Sequence, residues 1–75
     1  MDDNIKRLWA DAVRAARARQ GLSREQLAQK VRRSYQTIAC WEQARAVPRD
    51  IAVLEHCART GGITVPPELM EEVEG

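Results

Sequence analysis

Residues 24–43, REQLAQKVRRSYQTIACWEQ, carry the strongest structural signal in this chain. Apolar side chains recur there at helical spacing, first at Leu27, Ala28 and Val31 and then at Ile38 and Trp41. Side chains three or four positions apart share one face of an α-helix. Only the polar residues 32–34 separate the two stripes. The stretch therefore predicts two short helices that fold back on each other across a tight turn.

Capping signals predict the ends of these helices independently of the apolar stripes. Gly21 can adopt the left-handed conformation that ends a preceding helix. Ser23 and Gln26 have the spacing of a capping box, and Ser34 is placed to cap the following helix by accepting from the amide of residue 36 or 37. We therefore predict helices over about residues 24–31 and 35–43.

The same rules predict helices in the rest of the chain. A helix over about residues 3–20 would bury one face, formed by Ile5, Leu8, Trp9, Ala12, Val13 and Ala16. Another over about residues 50–59 would begin at Asp50 and stop at Gly61-Gly62. Pro66-Pro67 suits the first turn of a last short helix. The predicted fold is all-α: one domain over residues 1–75, a compact four- to five-helix bundle with residues 63–75 as a C-terminal tail or short helix.

Catalytic and metal-binding patterns are not evident. Cys40 and Cys57 form no CxxC pair, and the single histidine, His56, adjoins Cys57 on a helix, where neighbours point about 100° apart. The sequence has no glycine-rich phosphate loop and no carboxylate pair in an apolar context. We expect no enzyme activity, metal, cofactor or small-molecule ligand.

Targeting signals are equally scarce. No run approaches the roughly 20 apolar residues of a membrane span. The start Met1-Asp2-Asp3 is acidic and lacks the layout of a secretion signal. The sequence predicts a cytoplasmic protein without a membrane partner.

The formal net charge of +1 hides a strong asymmetry along the chain. Between Lys6 and Arg49 eleven basic residues face three acidic ones, a balance of +8. From Asp50 onward six acidic residues face one basic residue, a balance of −5. Solvated surface charge would account for such a pattern without any partner. The stronger interpretation is that the basic half of the chain faces the phosphates of a nucleic acid.

The chain resembles the Cro/CI-like (XRE-type) helix-turn-helix family of phage and bacterial transcriptional regulators, which have the lambda-repressor-like DNA-binding fold. The resemblance rests on Arg17, Gly21, Leu22, Ser23, Leu27, Ala28, Val31, Ser34, Ile38, Trp41, Glu42, Pro48 and the stripe from Leu54 to Ala58. It implies a compact helical bundle that binds operator DNA as a homodimer, with a partly buried ion pair between Arg17 and Glu42. The chain departs from the family at Arg32 and Ala44, where glycine is favoured, and at Arg33, where an apolar residue is favoured.

In a helix-turn-helix the second helix enters the major groove of DNA. If Ile38 and Trp41 point inward, helical geometry turns Gln36 and Gln43 outward. Glutamine can pair with adenine, and small apolar groups suit the thymine methyl, so an A·T-containing half-site is expected. The predicted base contacts are Gln36, Tyr35, Ala39, Cys40 and Gln43, although Tyr35 could also contact a phosphate. The predicted phosphate contacts are Arg24, Ser34, Thr37, Arg45 and Arg49, with Arg32 and Arg33 in the turn as weaker candidates.

These features predict a sequence-specific double-stranded DNA-binding transcriptional regulator, a repressor. The alternative is a protein-interaction module, such as an antitoxin or anti-repressor, that uses the acidic and apolar C-terminal tail. The apolar residues of that tail are Ile63, Val65, Leu69, Met70 and Val73. They could dock on a basic partner, form the seam of a homodimer, or simply pack onto the bundle.

Overall fold

The computed structural model describes residues 2–74 as five helices and no strand. The helices are α1 (Asp2–Gln20), α2 (Arg24–Val31), α3 (Tyr35–Glu42), α4 (Ile51–Gly61) and α5 (Pro67–Glu74). The predicted all-α fold is confirmed. Four predicted ends differ by one or two residues: α1 starts at Asp2, α3 stops before its C-cap Gln43, and α4 starts after its N-cap Asp50 and continues through Gly61. Gly62 alone then takes the left-handed conformation.

Side-chain caps fix the starts of the helices around the turn. The Ser23 hydroxyl accepts from the Gln26 amide at 3.1 Å, and the Gln26 side chain accepts from the Ser23 amide at 2.8 Å, which completes the predicted capping box. The Ser34 hydroxyl accepts from the Thr37 amide at 3.2 Å. These bonds satisfy amides that a helix start leaves without an intrahelical partner.

Two residues other than glycine have positive φ among residues 2–74: Arg32 at 57° and Ala44 at 59°. Both stand where the resembled family favours glycine. Arg32 is the left-handed C-cap of α2, and Ala44 follows the C-cap of α3. A side chain in this conformation costs roughly 1 to 2 kcal/mol relative to its right-handed counterpart. The backbone is therefore left-handed at both positions without a glycine.

The core is built around two tryptophans. Trp9 of α1 and Trp41 of α3 meet edge to face, with ring centroids 5.4 Å apart and planes inclined by 77°. Ile5, Trp9, Val13 and Ala16 are buried as predicted, whereas Leu8 and Ala12 are only partly buried, and Ala10, which the prediction omitted, is buried. The rest of the buried apolar set is Leu27, Ala28, Val31, Ile38, Leu54, Cys57, Ile63 and Leu69. This arrangement fixes the angle at which α3 leaves the bundle.

The C-terminal tail packs onto the bundle, one of the three arrangements that its apolar residues allowed. Ile63 is 2% exposed and Leu69 0% exposed, because Ile63, in the segment between α4 and α5, and Leu69, in α5, both insert into the common core. Neither side chain is accessible to a partner. Val65, Met70 and Val73 are partly buried against the same core.

A close helix contact holds α4 against α2. A Cβ atom at Gly61 would lie 2.6 Å from Val31 Cγ1, so only glycine fits without a shift of its neighbours. The Gln20 side chain of α1 donates to the Gly61 carbonyl at 2.8 Å. Over the described part of the chain, no helix is both long and apolar enough to cross a bilayer.

Candidate nucleic-acid interface

One face of helix α3 is buried against the bundle, and the other face is exposed. Ile38, Trp41 and Glu42 turn inward and are 0%, 4% and 2% exposed. Tyr35 and Gln36 are exposed at the first turn of the helix, as is Gln43 just past its end. The helical periodicity therefore gives the orientation inferred from the sequence. Ala39 and Cys40 are half-buried, so their side chains offer a smaller accessible surface than the glutamines.

Glu42 is the buried centre of an ion-pair cluster that holds this helix. Its carboxylate accepts from Arg17 Nε at 2.7 Å and from Arg17 Nη2 at 3.0 Å, so the two residues paired by the family resemblance lie in a bidentate contact. Arg24 Nε also donates to the carboxylate, at 3.1 Å. Arg14 donates to the Glu42 backbone carbonyl at 2.8 Å. The cluster ties α1, α2 and α3 together at the C-terminal end of α3.

The protonation state of Glu42 follows from two opposing effects. Burial in the bundle raises the pKa of the carboxyl group, whereas the hydrogen bonds and charges of Arg17 and Arg24 lower it by more. The net pKa lies below its ordinary value. Glu42 is therefore a carboxylate at neutral pH.

Arg24 opens α2 with part of its guanidinium already engaged. A hydrogen bond with the Tyr35 side chain, followed by the contacts with Glu42, raises the pKa of Arg24. A phosphate at the start of α2 would therefore share this guanidinium with two protein side chains. Sequence reasoning missed this link between Arg24 and the first residue of α3, because it depends on how the two helices pack.

The other predicted phosphate contacts lie in different settings. Arg32, Arg33 and Arg45 are exposed. Arg49, before α4, forms an ion pair with Glu72 of α5, with 2.9 Å between Arg49 Nη1 and Glu72 Oε1. The sequence offered only a general signal for this pair, the opposite charges of the two halves. The pairing itself depends on how α5 packs.

The hydroxyls of Ser34 and Thr37 lie 3.0 Å apart beside an open pocket of about 310 Å³ on one side of α3. The residues lining the pocket are Ser34, Gln36, Thr37, Cys40, Trp41 and Ala46. Four of the predicted contact residues are thus brought together. The edge of Trp41 and the loop residue Ala46 complete the lining, and the sequence had not singled out either for this surface.

The buried Cys57 and its neighbour His56 make contacts within the bundle. Cys57 is fully buried, and burial raises the pKa of its thiol. The His56 Nε2 atom lies 3.0 Å from the Val31 carbonyl at the end of α2. Within residues 2–74 no group of three or more His, Cys, Asp or Glu side chains could hold a metal ion.

Comparison with known proteins identifies the family of this chain. A family model described as a helix-turn-helix domain matches residues 10–73 and so includes every contact residue predicted above. No curated protein and no solved structure was found to match. The match agrees with the resemblance to the Cro/CI-like regulators, and a domain of this kind suggests a DNA-binding regulator. The chain belongs to the helix-turn-helix domain family.

Proposed function

We propose that this protein is a sequence-specific transcriptional repressor that acts in the cytoplasm and reads the major groove of double-stranded DNA with α3. The observation that carries the proposal is that one face of α3 is buried in the bundle and the other is exposed. Buried Ile38, Trp41 and Glu42 hold the helix, while Tyr35 and Gln36 remain exposed at its first turn. A recognition helix needs both a fixed angle and free polar groups at its N-terminal end.

Base recognition is assigned to the open face of α3. The exposed Gln36 amide can pair with the N6 and N7 edge of adenine. Tyr35 offers a hydroxyl and a ring, and Gln43 a second amide. Ala39 and Cys40 offer small apolar surfaces that suit a thymine methyl. An A·T-containing half-site is therefore the expected target.

Phosphate contacts are assigned to cations and hydroxyls around that face. Exposed Arg45 follows α3, Arg49 precedes α4, and Arg24 stands at the N-terminus of α2, where the helix dipole also favours an anion. The hydroxyls of Ser34 and Thr37 share one hydrogen bond, which leaves the proton of the other hydroxyl for a phosphate. Arg32 and Arg33 remain weaker candidates because they lie in the turn.

Two copies are proposed on each operator, with half-sites about one helical turn apart. A single module forms a small interface and seldom reaches useful affinity alone. Because Ile63 and Leu69 belong to the core, the proposed seam is reduced to the partly buried Val65, Met70 and Val73. A Val73→Asp variant should then weaken cooperative binding to a two-half-site operator. Sedimentation that finds monomers at all concentrations, with and without DNA, would exclude this assembly.

The chain is proposed to act as one domain, residues 1–75, with residues 63–75 as its C-terminal tail. Burial of Ile63 and Leu69 in the common core supports this view. The same burial weakens the alternative of a protein-interaction module, because two of the five apolar side chains of its docking strip face inward. A pull-down that recovers a partner while the protein retains no DNA would favour that alternative.

The test of the function is selection of bound duplexes from random DNA, followed by titration of the selected site. Gln36→Ala should cost roughly 1 to 3 kcal/mol on that site and relax preference at one base pair. The matched control is Gln29→Ala, an exposed glutamine on α2, which should leave the preference unchanged. Arg45→Ala should weaken binding to all sequences alike. If selection with Gln36→Ala returned the wild-type preference, the recognition assignment would be wrong.

A further inference from the structure

The acidic helix α5 has no part in the DNA contacts proposed above, yet it reaches a residue assigned to them. Glu72 Oε1 lies 2.9 Å from Arg49 Nη1. Arg49 ends the basic half of the sequence, and Glu72 belongs to the acidic half, 23 positions away. The two side chains are 44% and 34% exposed, so the pair lies at the surface, where a polyanion could reach Arg49.

The position of Glu72 is fixed by the fold. Leu69 precedes it by one helical turn and is fully buried, which anchors α5 to the bundle. Val73, the next residue, packs partly against the same core. At the other end of the pair, Asp50 caps α4 through the Ala52 amide at 2.8 Å and so holds the backbone next to Arg49. Both partners therefore stand on ordered backbone.

We propose that Glu72 is an internal anion that competes with DNA phosphate for Arg49 and so lowers the affinity of the protein for DNA of any sequence. The proposal rests on the proposed function, because it takes Arg49 to be a phosphate contact. A guanidinium offers carboxylate and phosphate the same planar array of donors. A phosphate that approaches Arg49 must either displace Glu72 or lie beside its negative charge.

The consequence is a uniform loss of affinity for DNA. Phosphate contacts carry no sequence information, whereas contacts with base edges do. A penalty on one phosphate contact reduces binding to random DNA, and it leaves the preference of the α3 face for one base pair over another unchanged. Glu72 is thus assigned as a residue that restrains phosphate-driven binding to specific and random DNA alike.

The experiment uses the full chain and a random-sequence duplex at low salt. Glu72→Gln removes the competing charge and keeps the shape of the side chain. Glu71→Gln, on the neighbouring exposed position of α5, makes the same change in net charge without touching the pair. Glu72→Gln should tighten binding roughly twofold to fivefold, the range expected for a partly exposed ion pair. Glu71→Gln should give less than half of that gain.

A second arm repeats both substitutions in an Arg49→Ala background. The additional gain of Glu72→Gln over Glu71→Gln should disappear there, because the arginine for which Glu72 competes is absent. Circular dichroism confirms that each variant keeps its helices. Base preference, measured by selection, should be the same for wild type and Glu72→Gln.

Each outcome has one meaning. Equal gains for Glu72→Gln and Glu71→Gln, or a gain that survives Arg49→Ala, would overturn the competition and leave the proposed DNA binding intact. Failure of the wild type and of all folded variants to bind any duplex at low salt would overturn the proposed function, and the competition with it.

Discussion

Replacing Glu42 with alanine tests how the structure holds α3 in place. Glu42 is 2% exposed and receives two hydrogen bonds from Arg17 and one from Arg24. Alanine would remove the carboxylate and leave two guanidinium groups facing each other without an anion between them. Because the cluster joins α1, α2 and α3, its loss should destabilise the whole bundle rather than one helix end.

The size of the effect follows from how far the arginines can recover water. Breaking a buried pair on one side costs roughly 3 to 5 kcal/mol when the remaining charge stays buried. The Arg17 and Arg24 side chains are 26% and 32% exposed, so both can regain part of their hydration. We therefore expect the lower end of the range, about 3 kcal/mol. Domains of this size rarely exceed roughly 3 to 5 kcal/mol in total, so about 0 to 2 kcal/mol should remain, and between a few per cent and about half of the variant should be unfolded at 25 °C.

Urea denaturation followed by circular dichroism measures the free energy of unfolding. The matched control is Glu25→Ala, which removes an exposed glutamate from α2 and should change that free energy by less than about 0.5 kcal/mol. Glu42→Ala should lower the midpoint without raising the slope. A Glu42→Ala protein with the wild-type midpoint and slope would refute the assigned role of the cluster.

The same residue predicts a dependence on pH. Its folded-state pKa lies below the ordinary value, so its contribution is fully present above the unfolded pKa and is lost as pH falls through the lowered folded pKa. Wild-type stability should therefore fall in acid over that interval. Glu42→Ala should lack this part of the loss. Parallel acid profiles for the two proteins would contradict the assignment.

Three further substitutions test the backbone. Ala44→Gly should stabilise the fold by about 0.5 to 1 kcal/mol, because residue 44 has a φ of 59°; a loss of stability in urea would contradict this. Gly61→Ala should destabilise by about 1 to 2 kcal/mol, since its Cβ would overlap Val31 Cγ1; an unchanged thermal midpoint would show that the contact relaxes freely. Ser23→Ala should cost about 1 kcal/mol through the lost capping box, and an unchanged unfolding free energy would argue against that cap.

Local rules predicted much of the fold. The start of each helix depends on residues close in sequence, such as Ser23 with Gln26 and Ser34 with Thr37, so the caps could be read directly. The spacing of the apolar residues likewise predicted which side of α3 faces the bundle. The family resemblance added the pairing of Arg17 with Glu42, which no local pattern would have supplied.

Contacts between distant elements were not predictable in the same way. The ion pair of Arg49 with Glu72 and the bonds of Arg24 to Glu42 and Tyr35 depend on packing angles that no local sequence rule specifies. The apolar residues of the C-terminal tail show the same limit of prediction from sequence. Periodicity identified its apolar face, but only the packed bundle shows that Leu69 belongs to the core.

Titration of isotopically labelled protein with a selected duplex, and with a scrambled duplex of the same composition, places the DNA on the molecule. We expect the selected duplex to shift the side-chain amide of Gln36 and the backbone amides of Tyr35 and Cys40, together with the segment around Arg45. The scrambled duplex should perturb the Arg45 segment but leave the Gln36 side chain nearly unchanged. Shifts confined to α5, or equal responses of Gln36 to both duplexes, would contradict major-groove reading by α3.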